Sequence, residues 1–371
     1  MNILVASAFQ ADSRFAHAIN TLKMADGFAR LGHQVTVVCR RPRAGRVSMT
    51  ELRTDYGLSD ELQVLQVRSR LLGLRLDEHR HFAFQVTRVA RRLGVDFAYS
   101  RNYLAPAALS RMGIAVVAES HAHPENRSKH LAQMVNALAE EEAFRKLVTI
   151  APILKDNFVG LGVPEHKIMV LPDAVDLALF QRPAAFSRAT PGERPRVVYA
   201  GHLYDYKGIP TILDAAALMP ECDFVLIGGK PEDLQRHGRV ICERRLDNVE
   251  LAGWLAHTQV PDRLWNADVL LLPPSAQHPS ARWTSPVKLG EYLASGTPVV
   301  ASRIPALEYW VDEEQVCFTL PDDGADLVAG IRRVLEDPGY AAALSRSAAA
   351  FAEGLSYQRR CRQILDVAGE A

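Results

Sequence analysis

The sequence predicts an α/β protein built from two Rossmann-like, doubly wound domains in tandem, and three observations carry that prediction. Short apolar runs alternate with segments of helical periodicity, the signature of parallel strands layered with helices. The series begins at Ile3, breaks at the polar stretch Pro183–Pro195, and begins again at Arg196. A chain of 371 residues also has room for two to three domains.

The elements follow in order. Ile3–Ser7 reads as a buried strand. Phe15, Ile19, Leu22, Phe28 and Leu31 then recur mostly at steps of three and four, giving an amphipathic helix that Gly32 stops. Gln34–Cys39 is the next strand, so the chain opens as a βαβ unit. Further strands are expected at Phe97–Ser100, Ala115–Ala118 and Lys146–Ala151. Pro183–Pro195 is rich in Pro, Ser and Arg and reads as the interdomain linker. Beyond it the expected strands are Arg196–Gly201, Phe224–Ile227, Val249–Leu251, Val269–Leu272, Pro298–Ala301 and Val316–Leu320. The segment after about Phe351 has no strand partner and reads as a terminal helix. Phe351, Leu355, Tyr357, Cys361 and Ile364 form its apolar face, with Arg359, Arg360 and Arg362 expected to point outward.

Composition sets the class. Hydrophobic residues make up 48% and charged residues 23% of the chain, ordinary values that exclude a disordered or collagen-like protein. No run reaches the ~18 apolar residues of a spanning helix. Met1-Asn2-Ile3-Leu4-Val5-Ala6 opens a strand without the charged start of a signal peptide. The five cysteines, Cys39, Cys222, Cys242, Cys317 and Cys361, never form a Cys-x-x-Cys pair. That spacing excludes a disulfide scaffold and disfavours a zinc site. A cytoplasmic protein is expected.

Net charge is zero but unevenly spread. Residues 1–185 carry 24 Lys and Arg against 18 Asp and Glu, while residues 186–371 carry 19 against 25. Arg40, Arg41, Arg43, Arg46, Arg68, Arg70, Arg75 and Arg80 crowd two short stretches. A basic half suits an anionic membrane face or a phosphorylated acceptor, and a plain solvated surface accounts for it as well.

The most informative stretch runs from Trp283 to Val300. Ser285 is a good N-cap and Pro286 suits the first helical position, so a helix is expected to about Ser295, with Gly296 closing it. Lys288 and Glu291 share one face near the positive helix end. That end can hold a diphosphate through free N–H groups, with Lys288 adding charge and Glu291 accepting from ribose hydroxyls. A capped structural helix with a surface Lys–Glu pair fits the spacing equally well. A second stretch, Tyr199–Gly208, joins a strand to a helix, with Lys207 and Gly208 at the helix start near Ile209. A lysine there can project onto a phosphate lying over the strand ends, although loop lysines are more often just solvated.

Val116–His123 is an apolar strand ending in Glu119, His121 and His123, where α/β sheets place catalytic or sugar-contacting side chains. A metal site would need a third ligand that the nearby sequence does not obviously supply. Packed or hydrogen-bonded histidines fit the pattern as readily. Ile168–Phe180, with its Pro172-Asp173 turn, reads by composition only as a loop and a short helix.

Taken in order, Gly201–Gly208, Phe224–Gly229, Asn248–Gly253 and Ser285–Ala301 resemble glycosyltransferase family 4, retaining enzymes of the GT-B fold. The first half resembles it more loosely, through the opening βαβ unit, Glu119-Ser120-His121 and Gly162–Phe180. The resemblance implies two domains facing across a cleft. The first, residues 1–185, would bind the acceptor, with a C-terminal helix of about 355–371 packing back on it. The second, 186–354, would bind the nucleotide diphosphate sugar. It further implies transfer of a hexosyl unit to a hydroxyl of a glycan, lipid or small molecule.

Residue by residue, Lys207 matches the lysine that contacts the donor diphosphate, and Glu291 the glutamate that binds the donor ribose. Ser285, Pro286 and Val287 match the helix start whose N–H groups hold the diphosphate, and His121 a histidine near the reaction centre. His121, Lys207 and Glu291 are thus the expected catalytic residues. Gly201, His202, Gly229, Trp283 and Lys288 complete the expected donor site. No metal or cofactor is expected, since a helix dipole and basic side chains stabilise the departing nucleotide. Peripheral contact with an anionic membrane at its inner face is a possible partner interaction, and nucleic acid is not.

This chain also departs from the family pattern. Trp283 stands where the first glutamate of Glu-x(7)-Glu falls, although subgroups with Ser-Pro-x-Lys lack it too. His202 stands in place of an arginine, and Asp173-Ala174 in place of Asn-Gly. Ala8–Arg14 lacks a glycine pair. The alternatives are a nucleotide-sugar 2-epimerase of the same fold and a catalytically degenerate sugar-nucleotide-binding protein.

Overall fold

In the computed structural model, which describes residues 1–68, 77–121, 129–186 and 194–369, the chain divides into two units. One comprises Met1–Ala174 with Tyr357–Ala371, the other Val175–Ser356.

The first unit holds β1 (Asn2–Gln10), β2 (Gln34–Arg40), β3 (Leu62–Val67), β4 (Phe97–Ser100), β5 (Ala115–Ser120), β6 (Phe144–Thr149) and β7 (Ile168–Val170). They form one sheet in the order β3-β2-β1-β4-β5-β6-β7, with parallel pairing throughout. Successive side chains of a strand point to opposite faces, so one strand feeds two cores. Ile3 and Val5 pack with Leu22, Phe28 and Cys361, while Leu4 and Ala6 pack with Phe82, Val86 and Leu138.

The second unit repeats the plan. Its strands are β8 (Arg196–Ala200), β9 (Asp223–Ile227), β10 (Val249–Gly253), β11 (Val269–Leu272), β12 (Val299–Ser302) and β13 (Cys317–Thr319). Their order is β10-β9-β8-β11-β12-β13, again parallel. Val198 and Ala200 face one core, Val197 and Tyr199 the other. In both sheets the order reverses beside the first strand, between β1 and β4 and between β8 and β11. Such a switch point opens a crevice at the carboxyl ends of the strands.

Several expectations need correction. The break between units falls at Ala174/Val175, ahead of the polar stretch Pro183–Pro195. Polarity marks exposure and not a boundary, and hydrogen bonds tie residues 175–182, ahead of that stretch, into the second unit. Val175 donates to the Leu355 carbonyl, Trp265 to the Phe180 carbonyl, and Arg182 to Thr297. Residues 187–193 of that stretch lie outside the described residues. Strands β3 and β7 were not foreseen, and β6 begins and ends two residues earlier than expected. Phe15 is the exposed N-cap of the first helix, Ala16–Arg30, and not part of its buried face.

The terminal segment is two helices. Phe351 sits exposed on Pro338–Glu353 and Leu355 packs on the second unit's core, so neither belongs to the last helix. That helix, Tyr357–Gly369, lies against Ala16–Arg30 in the first unit. Gly27 makes room for it: a Cβ there would stand 2.9 Å from Cys361 Sγ. Arg359 and Arg362 are exposed as expected, but Arg360 is buried.

Candidate functional site

In the second unit the expected donor-site residues gather where β8, β9 and β11 end. Gly201 follows β8 at φ +146°, a conformation open to glycine, and a Cβ there would run into the Lys288 ammonium. Lys288 Nζ lies 3.8 Å from the centroid of the Tyr199 ring. Loss of water around this ammonium, and then the neighbouring Lys207, hold its pKa well below the usual lysine value. Lys207 ends the short 3-10 turn Asp205–Lys207, ahead of the helix Ile209–Leu218. Its Nζ is 5.1 Å from the Tyr206 ring centroid, and burial lowers its pKa too. Among the described residues, neither lysine forms an ion pair with a carboxylate.

His202 heads a run of stacked rings. It lies 5.1 Å from Tyr204, which lies 5.4 Å from Tyr206, which lies 4.1 Å from His278. Burial first, and then Lys288, Lys230 and Lys207, bring the His202 pKa down to about 4. The imidazole is therefore neutral near pH 7. Gly229 sits beneath the same loop, where a Cβ would stand 2.7 Å from Leu203 Cδ1.

The helix expected from Pro286 begins one residue later. Pro286, at φ −75° and ψ 121°, is the N-cap, and the helix is Val287–Ser295. Ser285 is buried just outside it and is not the cap. A proline ring fixes φ, which suits either position. The extended ψ decides between them, and no residue type dictates it. Gly296 closes the helix at φ +64°, as expected. Trp283 is half-buried in the preceding loop, its backbone N–H donating to the Ser280 carbonyl at 3.0 Å.

One turn into the helix, the Glu291 carboxylate lies 2.8 Å from His257 Nε2. His257 is itself buried, with its ring 5.0 Å from Phe180. Sequence reasoning missed His257. It follows the Asn248–Gly253 motif in an unremarkable turn, and nothing local announces a partner so far along the chain.

The first unit carries the other cluster. Strand β5 delivers Glu119, and His121 lies just beyond it with Nε2 2.5 Å from Glu119 Oε1. Arg360 Nη2 is 2.7 Å from the other Glu119 oxygen, Arg101 Nε is 3.8 Å away, and the Tyr99 hydroxyl donates to the same carboxylate. Arg360 Nε also donates to the Pro172 carbonyl. Burial alone would raise the Glu119 pKa, but Arg360, His121 and Arg101 together hold it well below the usual carboxylate range. Asp173 goes the other way. Burial raises its pKa, with His121 opposing and Glu119 adding to the rise. Asn20 donates to Asp173 at 2.5 Å, and His121 Nε2 is 3.7 Å from it.

Asp173 thus supplies the third acidic or imidazole group that the neighbouring sequence does not. Glu119, His121 and Asp173 offer ligand atoms within 4.8 Å of one another. Two guanidiniums already compensate Glu119, which disfavours a divalent cation beside it. His123, read together with these residues, lies outside the described residues, as do Arg70 and Arg75.

Comparison with known proteins bears on the family and the fold. Residues 19–179 match the family model described as Glycosyltransferase Family 4, and residues 194–337 match Glycosyl transferases group 1. Glycogen synthase from Mycobacterium tuberculosis is 31% identical over 208 residues, which cover 54% of this chain and 48% of that protein. The chain spans about half the length of the curated relatives it matches. Among solved structures, sucrose-phosphate synthase from Thermosynechococcus elongatus superposes with a TM-score of 0.77 at 19% identity, over 99% of this chain and 98% of that one. Anabaena HepE, solved in complex with UDP and glucose, gives 0.76 at 17% identity, over 100% and 99%. At such identities the likeness carries the fold.

Proposed function

Since the chain belongs to the glycosyltransferases of the family 4 and group 1 type and shares their GT-B fold, we propose that it moves a hexosyl unit from a nucleotide diphosphate sugar to a hydroxyl acceptor, with retention at the anomeric carbon. The observation that carries this reading is the pair Lys207 and Lys288. Two desolvated ammoniums of depressed pKa at the end of β8, neither in an ion pair with a carboxylate among the described residues, suit a diphosphate. The start of the helix Val287–Ser295 adds its dipole to the same anion.

Glu291, oriented by His257, accepts from the ribose hydroxyls. In the first unit, Glu119 holds His121 in one orientation, and the family resemblance assigns that histidine to the reaction centre. The acceptor hydroxyl attacks the anomeric carbon from the face that the nucleoside diphosphate leaves. A phosphate oxygen of the leaving group takes the hydroxyl proton. Charge on the leaving group is met by lysines and helix N–H groups, so the reaction needs no metal. That HepE was solved with UDP-glucose supports testing that donor first.

The acceptor would meet the basic first unit. Its helix Glu78–Leu93 exposes Phe84 beside Arg88, Arg91 and Arg92, a surface suited to an anionic membrane. Among the described residues, no helix is long and apolar enough to cross a membrane.

The test is nucleotide release from UDP-glucose, ADP-glucose and GDP-mannose, with the sugar product followed by NMR. A transferase releases the nucleoside diphosphate and keeps the anomeric configuration in its product. An altered sugar with the nucleotide still attached would mean an epimerase. No reaction with any donor across a broad acceptor panel would leave a binding protein.

A further inference from the structure

We propose that Lys230 is a third phosphate-binding cation of the donor site, delivered by the Gly228-Gly229 turn and held by Tyr204. The proposal rests on the donor reading above and adds a residue to it.

The turn is what brings Lys230 to the site. Strand β9 ends at Ile227, and the next two residues are glycines at φ +109° and +85°. A Cβ on Gly228 would collide with the Gly201 carbonyl, and one on Gly229 would press on Leu203. Without side chains, the end of β9 lies directly against the loop that follows β8. The residue after the glycines then reaches that loop's outer face.

There the Lys230 ammonium donates to the Tyr204 hydroxyl, with Nζ 5.4 Å from the ring centroid. Tyr204 is stacked between His202 and Tyr206, and Tyr206 carries Lys207 on its face. One run of rings thus spaces two ammoniums, and Lys288 stands at Gly201 at its near end. All three lysines act on His202. The hydrogen bond to Tyr204, together with Glu232 and Asp233 nearby, keeps Lys230 protonated.

Arg236, also beside the loop, is paired with Asp205 at 3.2 Å and Asp233 at 3.3 Å, and donates to the Leu203 carbonyl. The neutral His202 adds no charge. A diphosphate at this loop meets Lys207, Lys288 and Lys230, the three ammoniums that act on His202.

Calorimetric titration of the full chain with UDP, ADP and GDP tests this. For whichever nucleoside diphosphate the parent binds, Lys230→Gln should weaken binding about tenfold, as loss of one charge-assisted phosphate contact does. Lys230→Arg, which keeps the charge, should stay within about threefold of the parent. The corresponding monophosphate should lose less than the diphosphate. Binding by Lys230→Gln equal to the parent's overturns the assignment of Lys230 while leaving the donor site standing. A parent that binds none of the three overturns the donor reading and this assignment together. An unchanged thermal midpoint for both variants shows that the comparison is between folded proteins.

Discussion

A lysine that has lost its water and faces another lysine gives up its proton more easily, and an arriving phosphate reverses that. Lys288 is in this state, with burial first and Lys207 second depressing its pKa. The sign follows directly. Between the depressed pKa of the empty site and the raised pKa of the filled one, binding takes up a proton, so affinity falls as pH rises. Calorimetry of nucleoside diphosphate binding in two buffers of different ionisation enthalpy should show net proton uptake. Lys207 is proposed to meet the same anion, and burial lowers its pKa too. Lys207→Ala should lower turnover at least ~10²-fold, the usual loss for one preorganised anion donor. Unchanged turnover would remove the diphosphate from this loop. Glu291 should matter for affinity. Glu291→Gln should weaken nucleoside diphosphate binding by about 1.5–3 kcal/mol, and His257→Gln by less, because it only orients the carboxylate. An affinity for Glu291→Gln equal to the parent's would mean that the carboxylate serves His257 and not ribose.

The helix Tyr357–Gly369 brings Arg360 to Glu119, and both side chains are at most 4% exposed. Breaking a buried pair leaves a carboxylate without its partner, at a cost of about 3–5 kcal/mol. The Glu119 pKa is depressed in the folded state, so its pairing stabilises above the ordinary carboxylate pKa and is lost as pH falls through the folded value. Arg360→Leu should therefore lower the thermal midpoint near pH 7 and flatten the fall in stability toward acid. Removing the helix by truncation before Leu355 should destabilise the first unit. A fragment 1–185 as stable as that unit in the full chain would refute this.

Arg360 also shows where the sequence stops being legible. An arginine between two other arginines on an amphipathic helix reads as solvated, and its burial depends on Glu119 in a strand far along the chain. Apolar periodicity made β1, β2, β8 and β11 plain, because each feeds buried residues to both faces. The edge strand β7 is too short to show a period. Pro183–Pro195 misled because polar composition reports exposure, whereas the chain joins the second unit at Val175, which already donates to the Leu355 carbonyl there. At the candidate site, spacing along one loop and one helix left Lys207, Lys288 and Glu291 open, and the family resemblance singled them out. Neither singled out His257, Tyr99, Arg101 or Lys230, since each reaches its partner through the fold.

Both units use the same strand order around their first strand, so each presents a crevice of the same kind. The chemistry differs by charge: lysines in the second unit, and a carboxylate compensated by guanidiniums in the first. With cations already in both places, activity should survive EDTA, measured as nucleotide release after dialysis. A complete loss restored by manganese or magnesium would overturn the metal-free reading and direct attention to Glu119, His121 and Asp173.

The assignment of Tyr357–Ala371 to the first unit bears on how the chain is made. All of the second unit is translated between Glu119 and Arg360. At ~5–20 residues per second, that interval lasts on the order of tens of seconds. By its end the second unit has every strand it needs, whereas Leu22 and Phe28 still lack the cover of Tyr357, Cys361 and Ile364, and Glu119 lacks its Arg360 guanidinium. The half that leaves the ribosome first is the half that finishes last. Chaperones and proteases would meet the nascent chain through the exposed flank of Ala16–Arg30.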